Sequence, residues 1–360
     1  MTTVDPRAIG LVIPGGGVTG AMFQVGCLAA LEDSLPGFRA DQVRLYVGTS
    51  SGAAVAAALA GGIPVQRLYR ALLDPADDFF PLDRKHLLEL DVDEWKRVLR
   101  SGTGAVRRLL LSVTTRPTKI DVWQEIERFY DSLPTGIFRL DALERFFVEF
   151  FQRRGIANEF DKLPTRLFVS ANELDTGERV IFGDEGWRHV PVSRAICASS
   201  ALPPFYAPVT IDGRDFIDGG VGRVASVDVA VRHGCDLVFV VNPMVPVRLD
   251  TASRAVPTGH GRMRHVRDKG FLWSYNQAFR ISVRTRLHLQ LELARLQHPE
   301  VTFVMLEPEA TDATMFMYAP MNFAARRTIL QYGYTTTVRK VRDIGPSLRG
   351  PLEAHGIRVE

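Results

Sequence analysis

Residues 43–60 have the sequence VRLYVGTSSGAAVAAALA. The apolar run 43–47 predicts a buried strand, and the alanine-rich run 53–60 predicts a helix. Between them, GTSSG at 48–52 has the pattern G-x-S-x-G, which places a serine on a tight turn from a strand into a helix. This stretch predicts an α/β fold and makes Ser50 a candidate nucleophile.

Two glycines flank the candidate nucleophile. Gly48 and Gly52 would let the strand and the helix pass closely, because glycine carries no Cβ. The N-terminus of the helix next to Ser50 favours developing negative charge. An ordinary glycine-rich turn is the alternative, but a position between a strand and a helix favours a nucleophile.

A second glycine-rich turn, GGGVTG at 15–20, follows the apolar run 8–13 and opens a predicted helix over 20–34. Consecutive glycines leave backbone N–H groups uncovered, which suits an oxyanion hole for a tetrahedral intermediate. The candidate oxyanion-hole residues are Gly15, Gly16, Gly17 and Ser51, with Gly20 completing the motif.

The same turn satisfies G-x-G-x-x-G, the dinucleotide-binding fingerprint. That fingerprint also needs an acidic residue at the end of the second strand. Here the second strand ends in Val47-Gly48-Thr49-Ser50, so a serine stands where the acid is expected. The pattern therefore favours an oxyanion hole over a nucleotide site.

A third motif, Asp218-Gly219-Gly220, follows a short predicted strand at 215–217. Asp-Gly is a common turn pair, so a plain turn is one interpretation. A carboxylate whose pKa is raised by burial could instead accept the proton of the serine. Asp218 is thus a candidate general base.

Together the three motifs resemble the patatin-like phospholipase family. That family combines a glycine-rich oxyanion loop, a G-x-S-x-G motif and a distal Asp-Gly-Gly or Asp-Gly-Ala. The block ASSALPPFYAP at 198–208 is also similar to one that the family carries before the aspartate. The resemblance extends over residues 10–240. It implies a three-layer α/β/α fold, a Ser50–Asp218 dyad without histidine, and hydrolysis of the acyl esters of phospholipids or other lipids.

The chain departs from the family pattern at two places. The family usually has Lys or Arg at the position of Thr19, and it often has Asn-x-Pro where this chain has Val224-Ala225-Ser226. Neither change affects the dyad. Both bear on the preferred head group, which the resemblance does not determine.

Other functions fit some of the same residues. In α/β-hydrolases with a Ser-His-Asp triad a histidine follows the acid, and His233, His260, His265 and His288 all follow Asp218. In this chain the G-x-S-x-G turn comes directly after the second strand. In that fold more strands usually precede the nucleophile, so this position favours the dyad. An acyltransferase with the same dyad and a lipid-binding module without activity are the remaining alternatives.

The alternation of strands and helices predicts a mostly parallel sheet covered by helices. We expect a single catalytic domain over 1–360, with its core at 8–75 and 165–245. A helical insertion or cap is expected over 76–160, and a C-terminal extension of helix, strand and helix over 246–360. Further predictions are strands at 166–172, 178–182, 237–241 and 301–306, a hairpin turn at Asp212-Gly213, an exposed loop at 246–270, and helices at 192–198, 271–297 and 321–343.

Composition limits the function classes. Hydrophobic residues make up 46% and charged residues 24%, and a formal charge of +3 on 360 residues argues against a dedicated nucleic-acid binder. Cys27, Cys197 and Cys235 lie far apart, which fits a reducing compartment.

We find no signal-peptide pattern and no apolar run of the roughly 18 residues that a membrane span needs. We expect a cytoplasmic enzyme with no cofactor, metal or nucleic acid, in peripheral contact with membranes.

The segment EWKRVLRSGTGAVRRLLL at 94–111 mixes apolar and basic residues at helical spacing. Such a pattern suits a helix lying on an anionic membrane surface, or a cap with a solvated basic rim. Gly102 and Gly104 interrupt it and would suit a hinge. The hypothesis from the sequence is a lid that docks on lipid through Arg107 and Arg108.

Overall fold

A central sheet of eight strands lies between two layers of helices in this computed structural model. The predicted fold class, α/β with a mostly parallel sheet, is confirmed. No helix in the described part of the chain is long and apolar enough to cross a lipid bilayer. The described residues are 8–74, 76–90, 92, 95–96, 98, 133–249, 256–258 and 261–359.

The strands and helices below carry labels in chain order. The strands are β1 (Ile9–Ile13), β2 (Leu45–Thr49), β3 (Glu89–Leu90), β4 (Phe138–Arg139), β5 (Arg166–Glu173), β6 (Arg179–Phe182), β7 (Val209–Ile211), β8 (Arg214–Asp218), β9 (Leu237–Val241), β10 (Val256–Thr258), β11 (Gly261–Met263) and β12 (Thr302–Leu306). The α-helices are α1 (Gly17–Ser34), α2 (Ser51–Ala60), α3 (Val65–Leu73), α4 (Asp141–Arg154), α5 (Val192–Ser200), α6 (Val227–Arg232), α7 (Phe271–Gln297) and α8 (Arg326–Ala354).

The strand order in the central sheet is β12-β9-β1-β2-β5-β8-β7, and β6 also pairs with β5. The pairs from β12 to β5 are parallel, whereas β6, β7 and β8 are antiparallel to their neighbours. Each parallel crossover carries a helix, as strand–helix–strand units require.

Side chains on β1 point alternately to the two faces of the sheet, as the pleat requires. Leu11 and Ile13 join one apolar core, which includes residues of α1, α2 and α8. Val12 joins a second core, which includes residues of α6 and α7. The sheet is therefore buried on both faces, which explains why its central strands are continuous apolar runs rather than alternating ones.

The ends of β2 and β8 meet on one edge of β5. Ser170 of β5 pairs with Thr49 of β2, and the next residue, Ala171, pairs with Asp218 of β8. Both β5 residues also pair with β6, which occupies the opposite edge. Because β2 and β8 run in opposite directions, the residue after Thr49 and the last residue of β8 are brought face to face.

The C-terminal segment packs against the first helix. A Cβ on Gly26 of α1 would lie 2.2 Å from the carbonyl oxygen of Leu330, and one on Gly333 of α8 would lie 2.4 Å from the carbonyl oxygen of Phe23. Only glycine allows these two helix backbones to approach so closely. Residues beyond 246, expected as an extension, therefore contribute to both helical layers, α8 to that of α1 and α7 to that of α6.

Several predicted elements differ from those observed. The expected loop at 246–270 contains the hairpin of β10 and β11, and the last helix runs from Arg326 to Ala354 rather than over 321–343. The expected helical cap contains α4, but also the two-stranded sheet of β3 and β4. The N–H of Phe138 donates to the carbonyl of Phe205, so β4 is held by a distant segment that local periodicity does not reveal. Of the predicted helix at 94–111 only residues 95, 96 and 98 are described, and the predicted hinge at Gly102 and Gly104 and the basic pair Arg107 and Arg108 lie outside the described residues.

Candidate active site

Ser50 lies on a strained turn between β2 and α2. Its φ of 53° and ψ of −129° are unusual for a residue with a side chain, and such strain costs of order 1–3 kcal/mol. A Cβ on Gly48 would lie 2.4 Å from the Cα of Ala53, and one on Gly52 would lie 2.0 Å from the carbonyl oxygen of Ile13. The two flanking glycines therefore permit the tight turn that presents Ser50, as their places in the motif predict.

The Ser50 side chain lies close enough to the carboxylate of Asp218 to lower the pKa of that carboxyl through a hydrogen-bond interaction. The same carboxylate accepts a bond of 2.7 Å from the N–H of Gly220. The side-chain amide of Asn172 donates to the main-chain carbonyl of Asp218 at 2.9 Å. A Cβ on Gly219 would lie 2.3 Å from the carbonyl oxygen of Ser170, so β5 packs directly against the turn after Asp218. The structure thus brings the two predicted dyad residues into contact.

Burial raises the pKa of Asp218 from 3.8 to about 6, while the hydrogen bonds from Ser50 and Gly220 lower it in part. The side chain is only 4% exposed, so desolvation disfavours the charged form. A carboxylate with a pKa near 6 accepts protons more readily than an ordinary aspartate and is still mostly ionised at neutral pH.

This raised pKa predicts that the Asp218 carboxylate destabilises the fold. The unfolded carboxyl titrates near its ordinary value, so between about pH 4 and 6 the folded protein binds more protons. Stability is therefore lost as the pH rises through that window. Asp218→Asn should increase the free energy of unfolding at pH 7.5 by about 1–3 kcal/mol and leave it little changed at pH 4, as urea denaturation at both pH values can measure.

Asp228 supplies a control with the opposite sign. It forms an ion pair with Arg179 at 2.7 Å, and the hydrogen bonds and charges of nearby arginines lower its pKa despite the opposing effect of burial. Asp228→Asn should therefore destabilise the protein at pH 7.5. An equal loss of stability in both variants would show that the Asp218 carboxylate carries no burial cost.

The predicted oxyanion residues lie beside Ser50. A Cβ on Gly15 would lie 2.7 Å from the Cβ of Ser50, and the N–H of Gly16 donates to the hydroxyl of Ser51 at 3.1 Å. Gly17 is the first residue of α1, so its N–H has no carbonyl within the helix to which it could donate. The glycines also permit close packing, because a Cβ on Gly16 would lie 2.4 Å from Cγ of Pro243.

Thr19 is fully buried in the first turn of α1. Its N–H donates to the carbonyl of Pro320 at 3.0 Å, which ties the glycine-rich turn to the segment before α8. The position where the family usually has a cation is therefore enclosed by residues far along the chain.

Sequence reasoning missed Ser199, which binds the backbone of the turn at Ser50. The N–H of Ser50 donates to the hydroxyl of Ser199 at 2.7 Å, and that hydroxyl donates to the carbonyl of Ser170 at 2.6 Å. Ser199 is fully buried. The ASSALPPF block marks this region, but nothing in its spacing shows that this serine binds the backbone of the nucleophile.

Helix α7 supplies a second group of missed residues. Arg286 donates to the carbonyls of Gly220, Val221 and Gly222, in the turn that begins at Gly219 after Asp218. The buried Arg280 donates to the carbonyl of Pro243, which packs against Gly16. Both arginines therefore support loops of the site. An amphipathic helix beyond the region of resemblance offers no sequence signal for such roles.

Two apolar compartments meet at Ser50. The inner compartment, of about 140 Å³, includes Val25, Val55, Leu68, Leu72, Phe80 and Phe147 in its walls. The larger outer compartment, of about 360 Å³, includes Leu202, Phe205, Tyr275, Phe279 and Val283. Ser50 and Gly17 line both, whereas Asp218 lines only the outer one.

Histidines and metal-type clusters are absent from the described part of this site. Among described residues, no histidine lines either compartment, and no group of His, Cys, Asp and Glu could hold a metal ion. His233 stacks on Phe168, His265 caps the turn before α7, and His288 contacts Glu307. His260 lies outside the described residues.

Comparisons with known proteins add a family match. Residues 11–231 match the family model described as patatin-like phospholipase. "Uncharacterized protein YqhO" from Bacillus subtilis (strain 168) is 25% identical over 221 residues, which cover 58% of this chain and 62% of that relative. The chain thus spans less than two thirds of the relative's length.

Among solved structures, similarity is found to VipD from Legionella pneumophila, with 13% identity, a TM-score of 0.37, and coverage of 93% of this chain and 66% of that one. The type III effector ExoU of Pseudomonas aeruginosa has 16% identity, a TM-score of 0.39, and coverage of 95% and 54%. A human GIVD cytosolic phospholipase A2 has 12% identity, a TM-score of 0.35, and coverage of 96% and 60%. Structural likeness at this level does not bear on function.

Proposed function

Because this chain belongs to the patatin-like phospholipase family, as the match over residues 11–231 shows, we propose that it is a lipid acyl hydrolase. It would cleave carboxylic esters by a dyad of Ser50 and Asp218. The observation that carries the proposal is the close approach of these two side chains at the junction of two apolar compartments. A hydroxyl bound to a buried carboxylate can be deprotonated as it attacks, and apolar walls suit hydrocarbon chains.

In the first half-reaction, the Ser50 oxygen attacks the ester carbonyl while its proton passes to Asp218. The developing oxyanion accepts hydrogen bonds from the N–H of Gly17 and the hydroxyl of Ser51. Gly16 orients that hydroxyl by donating its N–H to the Ser51 oxygen. These donors, together with the N-terminus of α2, stabilise the negative charge of the tetrahedral intermediate.

The first half-reaction ends when Asp218 gives its proton to the leaving oxygen, which releases the alcohol and frees the carboxylate to act again as base. In the second half-reaction, water takes the place of the alcohol. Water then loses a proton to Asp218, attacks the acyl-enzyme and releases the fatty acid, and the proton returns to Ser50. The pKa of about 6 suits this cycle, because the group must both accept and release a proton near neutral pH.

Active-site labelling tests this proposal directly. A fluorophosphonate probe should modify Ser50, and mass spectrometry of the labelled peptide identifies the residue. Product analysis with a long-chain ester, with and without an added alcohol acceptor, separates hydrolysis from acyl transfer. Absence of both labelling and turnover would support a lipid-binding module instead.

Contact with a membrane surface is the second part of the proposal. Large apolar side chains are exposed beside the outer compartment: Leu88 is 43% exposed, Leu272 is 58% exposed and Phe271 is 75% exposed. Leu88 and Leu272 also line that compartment. The exposed arginines Arg264 and Arg267 lie just before Phe271 in the chain, and a combination of exposed apolar and basic side chains suits a membrane-binding surface.

This arrangement predicts that Phe271→Ser weakens binding to anionic vesicles about 10-fold, because burying a phenylalanine in lipid contributes about 1.5–3 kcal/mol. Co-sedimentation with phosphatidylglycerol vesicles measures the change. Leu296→Ser is the matched control, since Leu296 is 81% exposed at the opposite end of α7. Equal losses in the two variants would contradict a docking surface at the entrance.

A further inference from the structure

The two compartments differ in their relation to the dyad. Ser50 faces both, but Asp218 lines only the outer compartment. Gly15 and Gly16 also line only the outer compartment, whereas Ser51 lines only the inner one. The group that accepts the proton is therefore found on one side of the nucleophile.

The inner compartment runs between α1 and α2. On α1 it is bordered by Gly17, Ala21 and Val25, which lie one helical turn apart, and on α2 by Ala54 and Ala58, which lie one turn apart. Small side chains near Ser50 leave room for a hydrocarbon chain. Large apolar side chains of α3, α4 and the segment between them also line it, among them Leu68, Leu72, Phe80 and Phe147.

Proton transfer determines which half of an ester enters each compartment. The ester C–O bond breaks as the leaving oxygen takes the proton that Asp218 received from Ser50. The leaving oxygen must therefore lie within hydrogen-bond reach of Asp218, in the outer compartment. The acyl chain is attached to the other side of the same carbonyl carbon and needs no proton donor.

We propose that the inner compartment binds the acyl chain that is transferred to Ser50, and that the outer compartment binds the alcohol half of the substrate. This inference rests on the proposed esterase function. Because Phe205, Phe279 and Val283 line the outer compartment, the alcohol half carries hydrocarbon of its own. The substrate is then a lipid ester with apolar groups on both sides of the scissile bond.

The inner compartment is small, about 140 Å³, and its size limits the length of the acyl chain. Ala54 is half-buried and borders the compartment next to Ser50, and Ala58 lies one turn, about 5.4 Å, further in. Leucine at either position keeps helix propensity and occupies the space of several methylenes. Ala54→Leu should exclude all but short chains, and Ala58→Leu should shift the limit to chains a few carbons longer.

The test measures kcat/KM for p-nitrophenyl esters from butanoate to hexadecanoate. Ala54→Leu should lower the ratio of hexadecanoate to butanoate activity about 100-fold relative to the unmodified chain. The matched control is Ala319→Leu, because Ala319 lines only the outer compartment. That variant should leave the acyl-length ratio within twofold, yet lower the preference for decyl over methyl esters of one acid about 10-fold.

The outcomes separate this inference from the proposed function. Thermal melting verifies that the variants fold, and Ala21→Leu replaces Ala54→Leu if the latter does not. An unchanged acyl-length ratio in Ala58→Leu and in the Ala54 or Ala21 variant, or a changed ratio in Ala319→Leu, would overturn the assignment of compartments. An unmodified chain without activity on any ester would instead overturn the esterase function on which the assignment rests.

Discussion

Replacing Ser50 by alanine is expected to lower kcat/KM for ester hydrolysis by about 10⁴-fold or more. The hydroxyl that forms the acyl-enzyme is lost, and the oxyanion donors alone give only a small residual rate. Initial rates on a soluble chromogenic ester measure the effect. Fluorophosphonate labelling should disappear in the same variant.

Ser51→Ala is the matched control for that experiment. It removes a neighbouring hydroxyl that contacts Gly16 rather than Asp218. Loss of one oxyanion donor should lower kcat by about 10²-fold, with labelling of Ser50 retained. If the alanine variant at Ser50 kept more activity than the one at Ser51, the assignment of the nucleophile would be wrong.

Asp218→Asn should lower kcat by about 10³–10⁴-fold with little change in KM. The amide can still accept hydrogen bonds from Ser50 and Gly220, but it cannot take the proton of the attacking hydroxyl. In the unmodified chain, kcat/KM should rise with pH, reach half of its plateau near pH 6 and level off above about pH 7, because the carboxylate must be ionised to act as base. The pH profile of the asparagine variant should lack this ionisation.

Histidine substitutions distinguish the dyad from a triad. His233→Ala and His288→Ala should each retain most of the activity, because these rings contact Phe168 and Glu307 rather than the dyad. His260 is tested in the same way. A histidine variant as inactive as Ser50→Ala would show that a triad operates.

The family and the fold class were predicted correctly from short motifs. These motifs act through local sterics. Gly48 and Gly52 lack the Cβ atoms that would clash with the backbone at the turn around Ser50. Asp212 and Gly213 both have positive φ, as the predicted two-residue hairpin turn before β8 requires. The catalytic roles of the site residues stay predictions until the variants above are measured.

Elements outside the motifs were predicted less well. The sheet of β3 and β4 is short and pairs two segments that are far apart in the chain. The hairpin of β10 and β11 is also short, with three paired residues in each strand. Hydrophobic periodicity detects long amphipathic helices such as α7 but gives no information on which side chains turn towards a site. For this reason Arg280 and Arg286 were missed.

The sequence by itself determined the local geometry of this protein: a strained turn at Ser50, a glycine-rich turn before α1 and an aspartate at the end of a strand. Only the tertiary structure decided how these features act together. Ser50 and Asp218 meet because β2 and β8 end at successive residues of β5, which is a property of the whole sheet. The pKa of Asp218 is raised because layers of the fold remove water from it, and burial depends on all the segments that pack around a group.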